Sequence, residues 1–96
     1  MNRPQKPATR KLKIFKAMSR KGAEEVLVYL LKNRTATFEE LKTLYKESTL
    51  RCILGLLMKA KLIKTRKSKE DRRFVCYLIN DESLVIDLVE LLSNEA

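Results

Sequence analysis

Residues 48–81 read STLRCILGLLMKAKLIKTRKSKEDRRFVCYLIND, and this stretch decides the fold because its two halves have different periods. In the first half, apolar residues recur every three or four positions from Leu50 to Leu57, which is the spacing of an amphipathic helix. In the second half, two short apolar runs flank a charged centre, which is typical of two strands joined by a polar turn. The stretch therefore predicts a helix ending near residue 60 and a β-hairpin over about 62–79.

The predicted helix has one face without large apolar residues. At about 100° per residue, the side opposite Leu50 carries small, polar or cationic residues, namely Ser48, Arg51, Cys52, Gly55 and Lys59. Ser48 or Thr49 is placed to cap its start. An arginine on such a face can donate to guanine, hydroxyls can donate to phosphate, and a glycine permits close approach. The alternative is an ordinary amphipathic helix with a solvated face.

Two further helices are predicted before this one. Residues 21–34, KGAEEVLVYLLKNR, carry apolar side chains at helical spacing, with Asn33 as a left-handed stop. Thr37, with Glu40 three positions later, is the pattern of a capping box that opens a short helix. About three residues separate that helix from the next one, as in a helix-turn-helix motif.

The last element, at about 83–94, is more apolar than the surface helix of a monomer. Ser83 is its predicted cap, and Asp81 and Glu82 lie close to its positive end. So wide an apolar arc needs covering on two sides, which predicts a symmetric homodimer completed by an N-terminal helix. The predicted dimer interface comprises Leu12, Phe15, Leu84, Val85, Leu88, Val89, Leu91 and Leu92. In the alternative, the two terminal helices cover one another inside a monomer.

The chain has 96 residues, enough for one domain, and a net charge of +9. Residues 1–22 hold eight lysines or arginines and no acid, whereas 80–96 hold five acids and no base. Such a distribution predicts that one side meets a polyanion such as nucleic acid. Residues 1–11, MNRPQKPATRK, contain two prolines and are expected to form a flexible basic arm before a single domain over 12–96.

Several classes of protein are disfavoured by what the sequence lacks. It has no histidine and only Cys52 and Cys76, so neither a zinc site nor another metal or cofactor is expected. Without a glycine-rich phosphate loop or a nucleophile–histidine pair, an enzyme is not expected. No signal peptide or membrane span is recognisable, so a cytoplasmic, intracellular protein is predicted. A disulfide between the two cysteines is not expected, because they are assigned to a helix face and a strand.

From residue 23 to residue 80, the order of elements resembles a winged helix-turn-helix domain. Residues 48–81 are similar to the recognition helix and wing of the MarR and ArsR groups of transcription regulators, and EDRRFVCYLIN matches the Asp-Arg-Arg and strand of the MarR wing. Lys61 stands where those families usually have glycine, and Asn80 where threonine is common. The chain lacks the Cys-x-Cys or histidine cluster of metal-sensing ArsR members. Its small size and many lysines also resemble winged-helix proteins of thermophilic archaea and their viruses.

The resemblance implies a mainly α fold with a small β-hairpin, α+β in class, and a regulator of transcription that binds double-stranded DNA. The recognition helix would enter the major groove, and the basic wing would contact the backbone or minor groove, with Arg73 in the groove and Asp71 bracing an arginine. The predicted DNA-binding residues are Ser48, Thr49, Arg51, Cys52, Gly55, Lys59, Lys64, Arg66, Lys67, Lys69, Arg72 and Arg73. The alternative is an architectural or transcription-machinery-associated winged helix with little sequence specificity.

Overall fold

The computed structural model describes residues 7–67 and 75–93. Over these ranges the chain forms five helices and a three-stranded antiparallel sheet, which confirms the α+β class. In chain order the elements are α1 (Pro7–Ser19), α2 (Ala23–Asn33), β1 (Thr35–Thr37), α3 (Phe38–Leu41), α4 (Glu47–Lys59), β2 (Ile63–Lys67), β3 (Val75–Ile79) and α5 (Glu82–Ser93).

The basic N-terminal segment is more helical than its composition predicts. Helix α1 begins at Pro7, so residues 7–11 do not belong to a flexible arm, and residues 1–6 lie outside the described ranges. Proline is well suited to the first position of a helix because its φ is already helical and its missing N–H would have no helical partner there. Lysine and arginine are good helix formers, so positive charge alone does not predict an extended arm.

The predicted capping box of α3 is confirmed. The Thr37 hydroxyl accepts from the Glu40 backbone N–H at 3.2 Å, and the Glu40 carboxylate accepts from the Thr37 backbone N–H at 3.2 Å. The turn to α4 spans residues 42–46, so the connection is longer than predicted, because α3 has a single turn.

Three other predicted helix ends are wrong by one or two residues. The positive φ after α2 belongs to Arg34 (φ 68°), not to Asn33. Helix α4 begins at Glu47 after Lys46 and has no side-chain cap, so neither Ser48 nor Thr49 plays that role. At α5, the Asp81 carboxylate accepts from the Leu84 backbone N–H at 3.2 Å, which makes Asp81 rather than Ser83 the capping residue.

The sheet has the strand order β1-β3-β2. Strand β1 was not predicted: it is three residues long, and its Ala36 is paired with Tyr77 of β3. In the hairpin, Ile63 is paired with Ile79 and Thr65 with Tyr77. Paired residues of antiparallel strands share a face, and this face packs on the helices, since Ala36 and Ile63 are buried. Residues 68–74, between β2 and β3, lie outside the described ranges.

A single apolar core joins the helices to the sheet. Leu27 and Leu30 of α2 are fully buried together with Leu50 and Leu57 of α4. Val85 of α5 is also fully buried within the subunit, so its assignment to a dimer interface is corrected: it faces the core. None of the buried residues in the described ranges is polar. Nor is any of the helices described long and apolar enough to cross a membrane.

The two positions that depart from the usual winged-helix pattern are in contact. Lys61, where glycine is usual, has a left-handed backbone with φ 59°. The Asn80 side-chain amide donates to the Lys61 carbonyl at 3.0 Å, and the Asn80 backbone N–H donates to the Leu62 carbonyl at 3.0 Å. These two bonds close the base of the hairpin, between the end of α4 and the start of α5.

Candidate nucleic-acid interface

Helix α4 presents the face that the sequence pattern predicts. Ser48, Arg51, Cys52 and Lys59 are exposed, and Gly55 and Thr49 are half-buried. The opposite side of the helix is buried in the core through Leu50, Ile53, Leu54 and Leu57. The polar face is therefore available to a partner.

Arg51 is held by two neighbours. Its Nη2 and Nε both donate to Oε1 of Glu47, at 2.7 and 3.2 Å. Its guanidinium carbon lies 5.1 Å from the centre of the Phe38 ring, within the range of a cation–π interaction. The hydrogen bond from Arg51, and then its positive charge, lower the pKa of the Glu47 carboxyl below its ordinary value. Glu47 therefore stays ionised beside the arginine near neutral pH.

An open hollow of about 420 Å³ lies between α4 and the sheet. Phe38, Arg51, Leu54, Gly55, Met58 and Tyr77 line it. A Cβ built on Gly55 would meet nothing within 4 Å, so nothing inside the fold requires glycine there. The polar face of α4 thus combines a fixed cation, a recess and a helix position without a side chain.

Strand β2 adds a run of exposed residues from Lys64 to Lys67. Its register divides the cations between two faces. Lys67 is paired with Val75 and therefore lies on the same face of the sheet as Tyr77, which borders the hollow beside α4. Arg66 is paired with Cys76 and lies on the other face, together with Lys64. The remaining predicted wing residues, Lys69, Arg72 and Arg73, lie outside the described ranges, as does Asp71.

Both cysteines are free thiols. Cys52 is exposed on α4, and Cys76 is half-buried on β3, so they occupy a helix face and a strand, as expected from the sequence. Among the described residues, no group of three or more potential metal ligands comes together.

A second surface, formed by α1 and α5, is apolar. Exposure of 71% at Phe15, 54% at Leu12 and 63% at Leu91 is high for such large side chains. A groove of about 510 Å³ runs between the two helices, lined by Phe15, Met18, Leu88 and Leu91 among others. The other predicted interface residues, apart from Val85, are half-buried there: Leu84, Leu88, Val89 and Leu92.

Two residues of the α4 surface, Glu47 and Phe38, were not among those predicted from the sequence. Glu47 lies four positions before Arg51, which is the spacing of a helical ion pair, so the sequence did contain a signal for it. Phe38 had no such signal, because its contact with Arg51 joins α3 to α4 and depends on how the two helices pack.

No protein-family model matches the sequence, and no curated protein matches it either. Solved structures do match. HlyU from Vibrio cholerae N16961 has 25% sequence identity and a TM-score of 0.70, over 93% of this chain and 94% of that one. The transcriptional regulator HlyU from Vibrio vulnificus CMCP6 has 25% identity and a TM-score of 0.66, over 90% and 86%. An ArsR-family transcriptional regulator has 19% identity and a TM-score of 0.60, over 98% and 100%.

These matches confirm the predicted winged helix-turn-helix fold, and one of the matched structures is an ArsR-family regulator, whereas the likeness to archaeal proteins and to the MarR wing stays a prediction. The element order, the three-stranded sheet and the matches together lead to one conclusion. The chain has the winged helix-turn-helix fold, and its structural neighbours are HlyU and ArsR-family transcriptional regulators.

Proposed function

We propose that this chain is a dimeric transcriptional regulator that binds double-stranded DNA, with α4 in the major groove and the β2–β3 hairpin on the backbone. The observation that carries the proposal is the polar face of α4, with exposed Arg51 and Lys59, in a fold shared with transcriptional regulators. A net charge of +9 supports a polyanionic partner, because cationic side chains that replace condensed counterions supply most non-specific affinity for DNA.

The residues have different proposed roles. Arg51 is the base reader, because a guanidinium can form two hydrogen bonds with guanine. Ser48 and Thr49, in the first turn of α4, donate to phosphate. Gly55 lets the helix approach the groove, and Cys52 lies against it. Lys59 and Lys67 bind the backbone, together with the other basic hairpin residues: Lys64, Arg66, Lys69, Arg72 and Arg73.

The proposed dimer is formed by the α1–α5 surface of two identical chains. Exposed Leu12, Phe15 and Leu91 would be covered by the partner's copy of the same surface, as in a two-fold interface. Charge supports this occupant: α1 carries cations and no acid, and α5 carries acids and no cation. Placing α1 of one subunit against α5 of the other brings opposite charges together.

An architectural role with little sequence preference is the second candidate. It is favoured by the composition of α4, in which Arg51 and Lys59 are the only cationic side chains. Few base readers limit the discrimination that direct contacts provide, since each good bidentate pair contributes about 1–3 kcal/mol.

The test is a selection from a random duplex library, followed by binding of the selected duplex and a scrambled one across a salt series. A regulator is expected to prefer the selected duplex about 10³-fold or more. Its site should be pseudo-palindromic, with half-sites about 10 base pairs apart or a multiple of that, because the two α4 helices face successive major grooves. Sedimentation at micromolar protein concentration should give the mass of a dimer for the free protein. On the duplex, it should give a complex that contains two protein chains.

A matched pair of variants links the binding to the proposed surface. Lys67→Gln should weaken binding to every duplex and lower the slope of log K against log salt by about 1. Lys32→Gln, exposed on α2 outside that surface, should leave the slope unchanged. A steep slope without any preferred sequence would instead establish the architectural role, and a chain without affinity for duplex DNA would refute both.

A further inference from the structure

The Glu47–Arg51 contact leaves one particular edge of the guanidinium available. Arginine has five N–H donors: one on Nε and two on each terminal nitrogen. One oxygen of Glu47 accepts from Nε and from Nη2, and therefore occupies the side edge of the group. The end edge, with one N–H on Nη1 and one on Nη2, is not used by this contact. Its two parallel donors match the two major-groove acceptors of guanine, O6 and N7.

The same guanidinium is also restrained on one face. Phe38 lies under it at 5.1 Å from ring centre to guanidinium carbon. Because neighbours contact one edge and one face of the guanidinium, the Arg51 side chain loses less conformational freedom when it binds. Such preorganisation lowers the entropic cost of recognition. Arg51 also lines the open hollow that Gly55 and Tyr77 border, so there is space beside it for a partner.

We propose that Glu47 and Phe38 are positioning residues which hold Arg51 for end-on recognition of one guanine in each half-site. The inference rests on the proposed function and deepens it, by naming the base and the residues that direct the arginine to it. Glu47 acts through Arg51 and does not contact DNA.

A carboxylate on a DNA-binding surface is otherwise a disadvantage. It repels phosphate and lowers affinity for every duplex. Stability does not account for it either, because ion pairs between exposed side chains contribute little, and both members of this pair are more than half exposed. Specificity is a difference between affinities. Glu47 partly neutralises Arg51, so the attraction of Arg51 to the phosphates of any DNA sequence is weakened. The contact with guanine uses the end edge of the guanidinium and is kept.

The experiment compares the wild type and three protein variants for binding to the selected duplex and to two modified duplexes. In the modified duplexes, the guanine contacted by Arg51 is replaced by 7-deazaguanine, which lacks the N7 acceptor, or by adenine. The wild type should lose about tenfold or more in affinity on either replacement. Arg51→Lys should lose the preference for the original guanine and keep its affinity for scrambled duplex. The reason is that an ammonium carries the same charge but lacks the two parallel N–H donors of a guanidinium. Glu47→Gln, which keeps the shape but not the charge, should reduce the preference to a few-fold and bind scrambled duplex more tightly. Phe38→Leu should reduce the preference without that gain.

Glu39→Gln is the matched control. Glu39 is also exposed, and it pairs with Lys42 at 3.4 Å, so its substitution removes a carboxylate and an ion pair from the same helix-turn-helix. It should leave the guanine preference unchanged. Thermal melting of Glu47→Gln should match that of the wild type, which separates positioning from folding.

The two levels of the proposal fail in different ways. If Glu47→Gln and Phe38→Leu keep the full guanine preference, the positioning roles are refuted while DNA binding stands. If Arg51→Lys also keeps it, Arg51 is not the guanine reader. If the wild type does not bind duplex DNA at all, the proposed function itself is refuted, and this inference with it.

Discussion

The chain has two glycines, and the fold requires only one of them. Gly22, between α1 and α2, has φ +96°, and a Cβ there would lie 2.7 Å from the Tyr45 ring and 2.9 Å from Ile53. The hydrogen bond with Glu25, and then burial, raise the pKa of the Tyr45 phenol above its ordinary value. Gly55, in the middle of α4, has open space around it. The fold explains the first glycine and not the second.

Glycine in the middle of a helix lowers its stability, so an unexplained one is evidence about function. At Gly22 the backbone and the packing both exclude a side chain. At Gly55 neither does, and the position lies between Arg51 and Lys59 on the exposed face of α4. A partner that approaches the helix closely, as in the proposed DNA interface, would supply a physical reason for glycine at this position.

Gly22→Ala should give the larger effect. A left-handed backbone costs a residue with a Cβ about 1–2 kcal/mol, and overpacking against Tyr45 and Ile53 adds about 1–3 kcal/mol. We expect the free energy of unfolding, measured by urea denaturation, to fall by roughly 2–5 kcal/mol in total. If the free energy of unfolding falls no more than it does for an ordinary surface substitution, α1 and α2 can rearrange around the new methyl group.

Gly55→Ala is the same substitution at the open site and serves as its control. It should raise the free energy of unfolding by about 1 kcal/mol, because alanine has the higher helix propensity. On the proposed function it should also weaken binding to the selected duplex by about tenfold, or about 1.4 kcal/mol. A more stable variant with unchanged affinity would show that the partner does not approach Gly55, and would remove it from the interface.

Lys61→Gly is the reverse of Gly22→Ala, because it introduces a glycine at a left-handed position, and it should have the smallest effect on stability. Lys61 has φ 59°, so glycine would relieve about 1 kcal/mol of backbone strain. The more flexible unfolded chain offsets roughly half of that gain. We expect a net stabilisation of about 0.5 kcal/mol in the same urea experiment. A clear destabilisation would indicate that the lysine side chain contributes more to the fold than its exposure suggests.

Local signals in the sequence were sufficient for most of the α4 surface. The period of the apolar residues determines which side of α4 is buried, and the spacing of Thr37 and Glu40 identifies the capping box. Both features depend on residues within one or two turns of each other. The Glu47–Arg51 pair was open to prediction by the same reasoning, from its four-residue spacing.

Features that depend on distant contacts were not predicted. Strand β1 exists because Ala36 is paired with Tyr77, which lies far along the chain, and three residues carry no periodicity of their own. Val85 looks like its apolar neighbours in α5, and only the docking of that helix decides that it faces the core. The same is true of Phe38 under Arg51.

The hydrogen bonds of Asn80 have a geometric consequence for the whole assembly. They fix the residue just before α5 to the Lys61 and Leu62 carbonyls just after α4, so one helix starts at a set angle from the end of the other. In any dimer built through α5, this joint sets the separation and tilt of the two α4 helices. In the proposed regulator, the distance between half-sites would then depend on this joint as well as on the residues proposed to contact DNA.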